Sequence, residues 1–330
     1  MTVQPRPAPE GSERRLVTVI DGKAGLPYSK GLMATSVMAA GLPPYRAYHV
    51  AEVIERVLHG EARTDISSSD LRELAASVLE EEVGPRYADN YRRWQRAQDR
   101  TIPLIVLIGG STGVGKSTVA TTVANRLGIV RIVSTDAVRE VMRGIFTKEM
   151  MPSLHASSFE VAAMIREPAS GADPVIAGFR EQVQAVGVGV TQIIRRSLKE
   201  GTDLVIEGAH IVPGFIDLPN RDQAIVAPMV LSVDDEQIHR SHFLARSQDA
   251  RGRGHRRYVD RLGDIRTIQS YVRNLAVEHG VPVVASYSLD ATISRVMELV
   301  VSATTDLPDP QPRESEPLED PQAAVSRPGI

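Results

Sequence analysis

The 330-residue chain contains no cysteine, which excludes both a disulfide framework and a thiolate metal site. That absence fits a reducing compartment. Basic residues are not in excess: 38 Lys and Arg stand against 41 Asp and Glu, for a formal net charge of −3 and a pI near 6.3. No global basic footprint for nucleic acid follows from that balance. No apolar run approaches the ~18 residues that a membrane span needs. The opening segment, MTVQPRPAPEGSERR, is polar and proline-bearing and lacks the apolar centre of a signal peptide. A cytoplasmic protein is expected, with neither nucleic acid nor membrane as partner; a homo-oligomer is compatible with the sequence. There is no tandem repeat.

What is present divides the chain into four parts. Residues 1–15 form a disordered N-terminus, and residues 305–330 form a disordered tail rich in proline and acid and poor in packing residues. Residues 16–98 read as a small α-rich unit with a β edge. LVTVIDGKAGLPYS carries an Asp21-Gly22 turn between apolar stretches, a hairpin signal. Helical patterns follow, the first with Ser29 as N-cap and the third with Asp70 and Glu73 at capping-box spacing. From residue 99 to 304 strands alternate with helices. IPLIVLIGG, IVRIVST, DLVIEG, AIVAPMVLSV and VPVVAS are short apolar runs of the kind buried on both faces of a parallel sheet. Five such strands with helical crossovers predict an α/β fold, a P-loop NTPase-type parallel sheet with flanking helices.

One segment carries the chemistry most specifically. Gly110-Ser111-Thr112-Gly113-Val114-Gly115-Lys116-Ser117 fits G-x-x-x-x-G-K-[ST] at every fixed position. At average residue frequencies that pattern arises by chance about once in 100 chains of this length. Glycines let the backbone curl so that successive N–H groups face phosphate oxygens, and the following helix adds its positive end. Lys116 reaches the outer phosphates, and the Ser117 hydroxyl is the expected Mg²⁺ ligand. The cradle is taken to run from Gly110 to Thr118, and it predicts a nucleoside triphosphate with Mg²⁺.

Later segments suggest an acceptor. Asp136 follows the second strand, where an acid can orient an acceptor hydroxyl and take its proton; the competing reading is a plain N-cap. Arg139 and Arg143 share a helix face and suit a doubly anionic acceptor, or else form a solvated face. Glu207 ends a buried strand, where an acid resembles a Walker-B carboxylate beside Mg²⁺. His210 follows as either a substrate-loop or a structural residue. The segment with Arg246, Arg251, Arg253, Arg256 and Arg257 reads as a lid whose guanidiniums stabilise the transferring phosphoryl group. Arg246 and Arg253 are the candidates for that role. A non-catalytic nucleotide sensor is the rival class.

Taken together, GGSTGVGKST, STD..R, LHASSFE, GFREQV, EGAHIVPG and IRTIQSY, in that order over roughly residues 16–300, resemble the 2-phosphoglycerate kinases. The resemblance implies a phosphotransferase that uses ATP to phosphorylate the 3-hydroxyl of 2-phosphoglycerate, giving 2,3-diphosphoglycerate; a kinase for another small anionic acceptor is the alternative. It also implies that Ser157 and Ser158, or the stretch from Gly178 to Gln182, shape the acceptor pocket. Without it, LHASSFE reads only as a helix start capped by Ser157 or Ser158. The front unit resembles an ATP-cone in its opening hairpin, the following lysine Lys30 and first helix. It departs from that pattern at Val19-Ile20, where effector-binding cones usually carry a Lys-Arg pair, so a structural or docking role stands beside nucleotide sensing.

Overall fold

The computed structural model of the chain describes residues 17–21, 24–60, 64–98, 100–164, 171, 173–249 and 255–304. The expectations for residues 1–15 and 305–330, and for Arg251 and Arg253, lie outside the described residues.

The front unit opens with the expected hairpin, β1 (Thr18–Asp21) paired antiparallel with β2 (Ala24–Pro27). Four helices follow: α1 (Lys30–Met38), α2 (Pro44–Gly60), α3 (Ser68–Glu82) and α4 (Pro85–Gln98). A third strand, β3 (Asp65–Ser67), lies parallel to β1; three residues are too few to show a strand period in the sequence. On α2 the buried positions Ala47, Val50, Ala51, Ile54 and Leu58 recur at helical spacing. That stripe closes the unit's own core with Val37, Leu42, Ile66, Leu79 and Tyr91. Ser29 caps α1, accepting from Leu32 N at 3.4 Å. The N-cap of α3 sits three residues upstream of its expected place. Ser67 is the cap, accepting from Asp70 N at 3.0 Å, which makes Asp70 the third helical residue rather than the cap.

The second unit is the α/β domain. Its elements run β4 (Leu104–Gly109), α5 (Lys116–Leu127), β5 (Ile132–Ser134), α6 (Thr135–Ile145) and two 3₁₀ turns (Pro152–His155 and Val161–Met164). Then come α7 (Pro174–Glu200), β6 (Leu204–Glu207), β7 (Ile225–Ser232) and α8 (Glu236–Asp249). The domain ends with α9 (His255–Asp260), α10 (Leu262–Glu278), β8 (Val283–Ala285) and α11 (Leu289–Ala303). All five expected strands are present, all parallel, in the order β5-β6-β4-β7-β8. β4 is central and wholly buried, which is why its sequence reads as an unbroken apolar run. LHASSFE does not start an α-helix; it spans the end of one 3₁₀ turn and a hydrogen-bonded turn in which Glu160 N donates to Ser157 O at 2.8 Å.

The front unit is joined to the α/β domain through a shared interior. Ala39, Trp94 and Ala97 belong to the same buried cluster as Val119, Val123 and Met297. Ser294 Oγ donates to Gly41 O at 3.0 Å, and Arg86 forms an ion pair with Glu298. Trp94, the one tryptophan of the chain, is the largest side chain that α4 contributes to this seam. Trp94→Ala is expected to cost about 3–5 kcal/mol of stability, read as a lowered midpoint in calorimetry or circular dichroism. A loss under about 1 kcal/mol would show that the seam does not depend on it.

Candidate active site

The loop after β4 is shaped by what surrounds it. Gly110 has φ +136°, and a Cβ there would lie 2.5 Å from Leu231 O, so both the turn and the close approach to β7 require glycine. α5 begins at Lys116 behind Gly115, which offers no side-chain cap. The first N–H groups of α5 therefore remain for an anion at the helix's positive end. Lys116 Nζ donates to Ser111 O at 2.7 Å, which holds the ammonium against the loop. Ser117 Oγ donates to Glu207 Oε1 at 2.9 Å. The C-terminal ends of β4 and β6 thus bring a hydroxyl and a carboxylate together, 90 residues apart in sequence.

Over this loop lies a cavity of about 170 Å³, lined by Thr112, Gly113, Gly115, Lys116, Ser117, Ser134, Asp136, Ser158, Glu207, Gly208 and Ala209. The nucleotide cradle, both metal-ligand candidates, the candidate base and one of the serines from LHASSFE therefore open onto one space. A larger cavity of about 520 Å³ lies at the opposite, amino-terminal edge of the sheet, beside Arg100, Arg131 and Asp203. It holds none of the candidate residues.

Asp136 sits in the first turn of α6 with its side chain 74% exposed. It is not the cap: Ser134 is, accepting from Ala137 N at 3.1 Å. Asp136 lines the cavity while also pairing with Arg139 Nε at 3.6 Å. Arg139 and Arg143 do not converge. The side chain of Arg139 is only 14% exposed, and its Nη1 donates to Leu154 O and Ala156 O, each at 3.0 Å. Arg143 pairs instead with Glu140 at 2.7 Å.

Gln182 and His210 are also absent from the cavity wall, because both are fully buried. Gln182 Nε2 donates to Ala156 O at 3.0 Å and to Ser153 O. Those two carbonyls fix the amide's orientation, so Gln182 Oε1 accepts from His210 Nε2 at 3.0 Å. His210 Nδ1 then accepts from Thr135 Oγ1 at 2.8 Å. Arg139, Gln182, His210 and Thr135 form one buried polar network that fastens residues 153–156 and sets Ser158 at the cavity. They hold the loop rather than face the cavity.

The lid segment is placed in part. Arg246 lies in the later turns of α8. Arg257, on α9, donates to Ser157 Oγ at 2.7 Å and pairs with Glu160, whose carboxyl it holds below the ordinary range. This guanidinium also lies over the Phe159 ring. The residues that sequence reasoning missed stand behind the loop: His239, His242, Phe243 and Gln269. The first three sit at i, i+3 and i+4 in EQIHRSHF, a one-face spacing that could have marked them.

Burial pushes the His210 imidazole down to about 4, from an ordinary value of 6.5. Between those values the unfolded chain binds a proton that the folded one excludes, so His210 makes stability fall as pH drops through that window. Thermal midpoints between pH 7 and 4.5 should fall more steeply for the native protein than for His210→Gln. Equal slopes would contradict the assignment.

No protein-family model matches the chain. Curated relatives do. The chain is 37% identical over 297 residues to a 2-phosphoglycerate kinase of Methanopyrus kandleri, covering 89% of this chain and 90% of that protein. It is 40% identical over 282 residues to that of Methanothermobacter thermautotrophicus, covering 84% and 91%. With that of Pyrococcus furiosus it shares 37% over 287 residues, covering 87% and 93%. With identity at this level over most of the length of each protein, the chain belongs to the 2-phosphoglycerate kinase family.

Proposed function

We propose that the protein transfers the γ-phosphoryl group of ATP to the 3-hydroxyl of 2-phosphoglycerate, giving ADP and 2,3-diphosphoglycerate, in the cytoplasm. The observation that carries this reading is the single cavity shared by Lys116, Ser117, Glu207, Asp136 and Ser158. The exposed Asp136 carboxylate opening onto the same small volume as the glycine-rich loop supports this reading, as do relatives named 2-phosphoglycerate kinase.

The nucleotide's phosphates lie along the N–H groups of Gly110–Thr118, with Lys116 on the outer phosphates, where its charge contact strengthens as the bridging oxygen departs. Ser117 Oγ and Glu207 are adjacent hard-oxygen donors at the sheet's C-terminal edge, a donor set that would hold Mg²⁺. When bound, that ion neutralises phosphate charge. Asp136 orients the acceptor's 3-hydroxyl and accepts its proton as the new O–P bond forms and the bond to the β-phosphate's bridging oxygen breaks. Ser158 bounds the acceptor, with Arg246 and Arg253 as the cationic partners of its phosphate and of the transferring group. Arg139, Gln182 and His210 act one step back by holding the loop that carries Ser158.

For the front unit, the arrangement supports docking rather than sensing. Lys30, the cation of its cone-like opening, is paired with Glu55 at 2.9 Å and Glu52 at 3.6 Å.

Addition of 2-phosphoglycerate should accelerate ADP formation, with one 2,3-diphosphoglycerate per ADP. No stimulation at saturating ATP would remove this acceptor. Lys116→Ala should lower kcat by ~10²–10³-fold in steady-state assays, and a near-native rate would overturn its role. Asp136→Asn should lower kcat by ~10²-fold or more with an unchanged melting temperature, since Ser134 is the cap. A loss confined to stability would return Asp136 to a structural role.

A further inference from the structure

A phosphate-binding loop needs its N–H groups turned inward, and each N–H is rigidly tied to the carbonyl before it. In a planar trans peptide the C=O of one residue and the N–H of the next point in opposite directions, and among the described residues every peptide bond is trans. Whatever grips the outward carbonyls of the loop therefore aims the inward N–H groups.

Two histidines grip two consecutive carbonyls. His239 Nε2 lies 2.8 Å from Thr112 O, and His242 Nδ1 lies 2.9 Å from Gly113 O. A carbonyl oxygen can only accept, so each of these ring nitrogens carries the proton and donates. The Thr112 contact aims Gly113 N–H, and the Gly113 contact aims Val114 N–H. Both histidines lie on α8 three residues apart, and Phe243 completes the face. A Cβ at Gly113 would lie 2.4 Å from the Phe243 ring, so the ring presses the loop backbone directly. His239 is fully buried, and its ring stacks on Phe243 with centroids 5.3 Å apart and planes at 24°. Phe243 in turn stacks on Tyr258 of α9 at 5.3 Å and 5°. The imidazole of His239 cannot swing away from the carbonyl without breaking that stack.

We propose that His239 and His242 are positioning residues for phosphoryl transfer: by donating to the Thr112 and Gly113 carbonyls, they fix the N–H groups of Gly113 and Val114 on the nucleotide's phosphates. This rests on reading Gly110–Ser117 as the ATP site, and it is independent of which acceptor is used.

The test exploits the geometry of the donors. A glutamine amide nitrogen lies at about the reach of Nε2, and an asparagine amide nitrogen at about that of Nδ1. His239→Gln and His242→Asn therefore keep the donor where the structure uses it; His239→Leu and His242→Leu remove it. In the full-length protein, calorimetric Kd for Mg²⁺·ATP without acceptor should rise about ten-fold or more in each leucine variant. In the amide variants it should stay within about three-fold of native. Steady-state KM for 2-phosphoglycerate should move by less than about two-fold in all four, a split that general loosening of the fold would not produce. Native ATP affinity in either folded leucine variant would overturn the proposal. So would amide variants that lose ATP as the leucines do, a comparison that stands even if His239→Leu does not fold. A protein that binds ATP in this pattern without phosphorylating 2-phosphoglycerate would leave this inference standing and remove only the acceptor assignment.

Discussion

Backbone N–H groups bind phosphate only when several of them face one point, a conformation that costs backbone entropy and leaves the opposite carbonyls facing protein. Here that cost is met by contacts on the far side of the loop. Leu231 of β7 closes against Gly110, and Phe243 closes against Gly113. His239 and His242 take two carbonyls, and Ser111 Oγ donates to Gln269 Oε1 at 3.3 Å, an atom that also accepts from Val233 N at 3.2 Å. The loop is pre-set by β7, α8 and α10 rather than by its own glycines. The glycines permit the shape, and the neighbours enforce it.

The loop that carries Ser158 is built on a different principle. Residues 153–160 have little regular structure, so their position depends on side chains that reach in from rigid elements. Arg139 of α6 and Gln182 of α7 share Ala156 O, and His210 links Gln182 to Thr135 at the start of α6. A buried network of this kind is costly when incomplete and stiffening when satisfied. Arg257 adds an exposed tie from α9 to Ser157 and Glu160.

The fold was legible where burial imposes a pattern. The central strands β4, β6 and β7 are largely buried and show as apolar runs, whereas the edge strands β5 and β8 show as apolar runs although they are partly exposed. α2 shows as a stripe, and the phosphate loop shows by its fixed residues. Short or irregular parts were not legible. β3 is three residues long, and the turns after α6 follow tertiary hydrogen bonds rather than local propensity. Within the site, types of residue were readable but partners were not. Arg139 and Arg143 share a face as their spacing requires. The first is drawn to loop carbonyls and the second to Glu140, and spacing alone cannot say which anion a guanidinium meets. His210 looked like a pocket residue because it follows Glu207 in sequence, and Gln182 because the family resemblance put it there, whereas burial gives both to the frame. His239 and His242 went unread because a helix-face pair of histidines gains meaning only once a carbonyl lies opposite.

The account's central claim is that a triphosphate on the loop and a small phosphorylated acid meet at Asp136. A co-crystal structure with a non-hydrolysable ATP analogue, Mg²⁺ and 2-phosphoglycerate tests it most directly. The account predicts the acceptor's 3-hydroxyl within hydrogen-bond reach of Asp136 and in line with the terminal phosphate beside Lys116, with Ser158 against the acceptor. An acceptor bound away from Asp136, or a nucleotide whose phosphates do not lie on Gly113 and Val114 N–H, would contradict it.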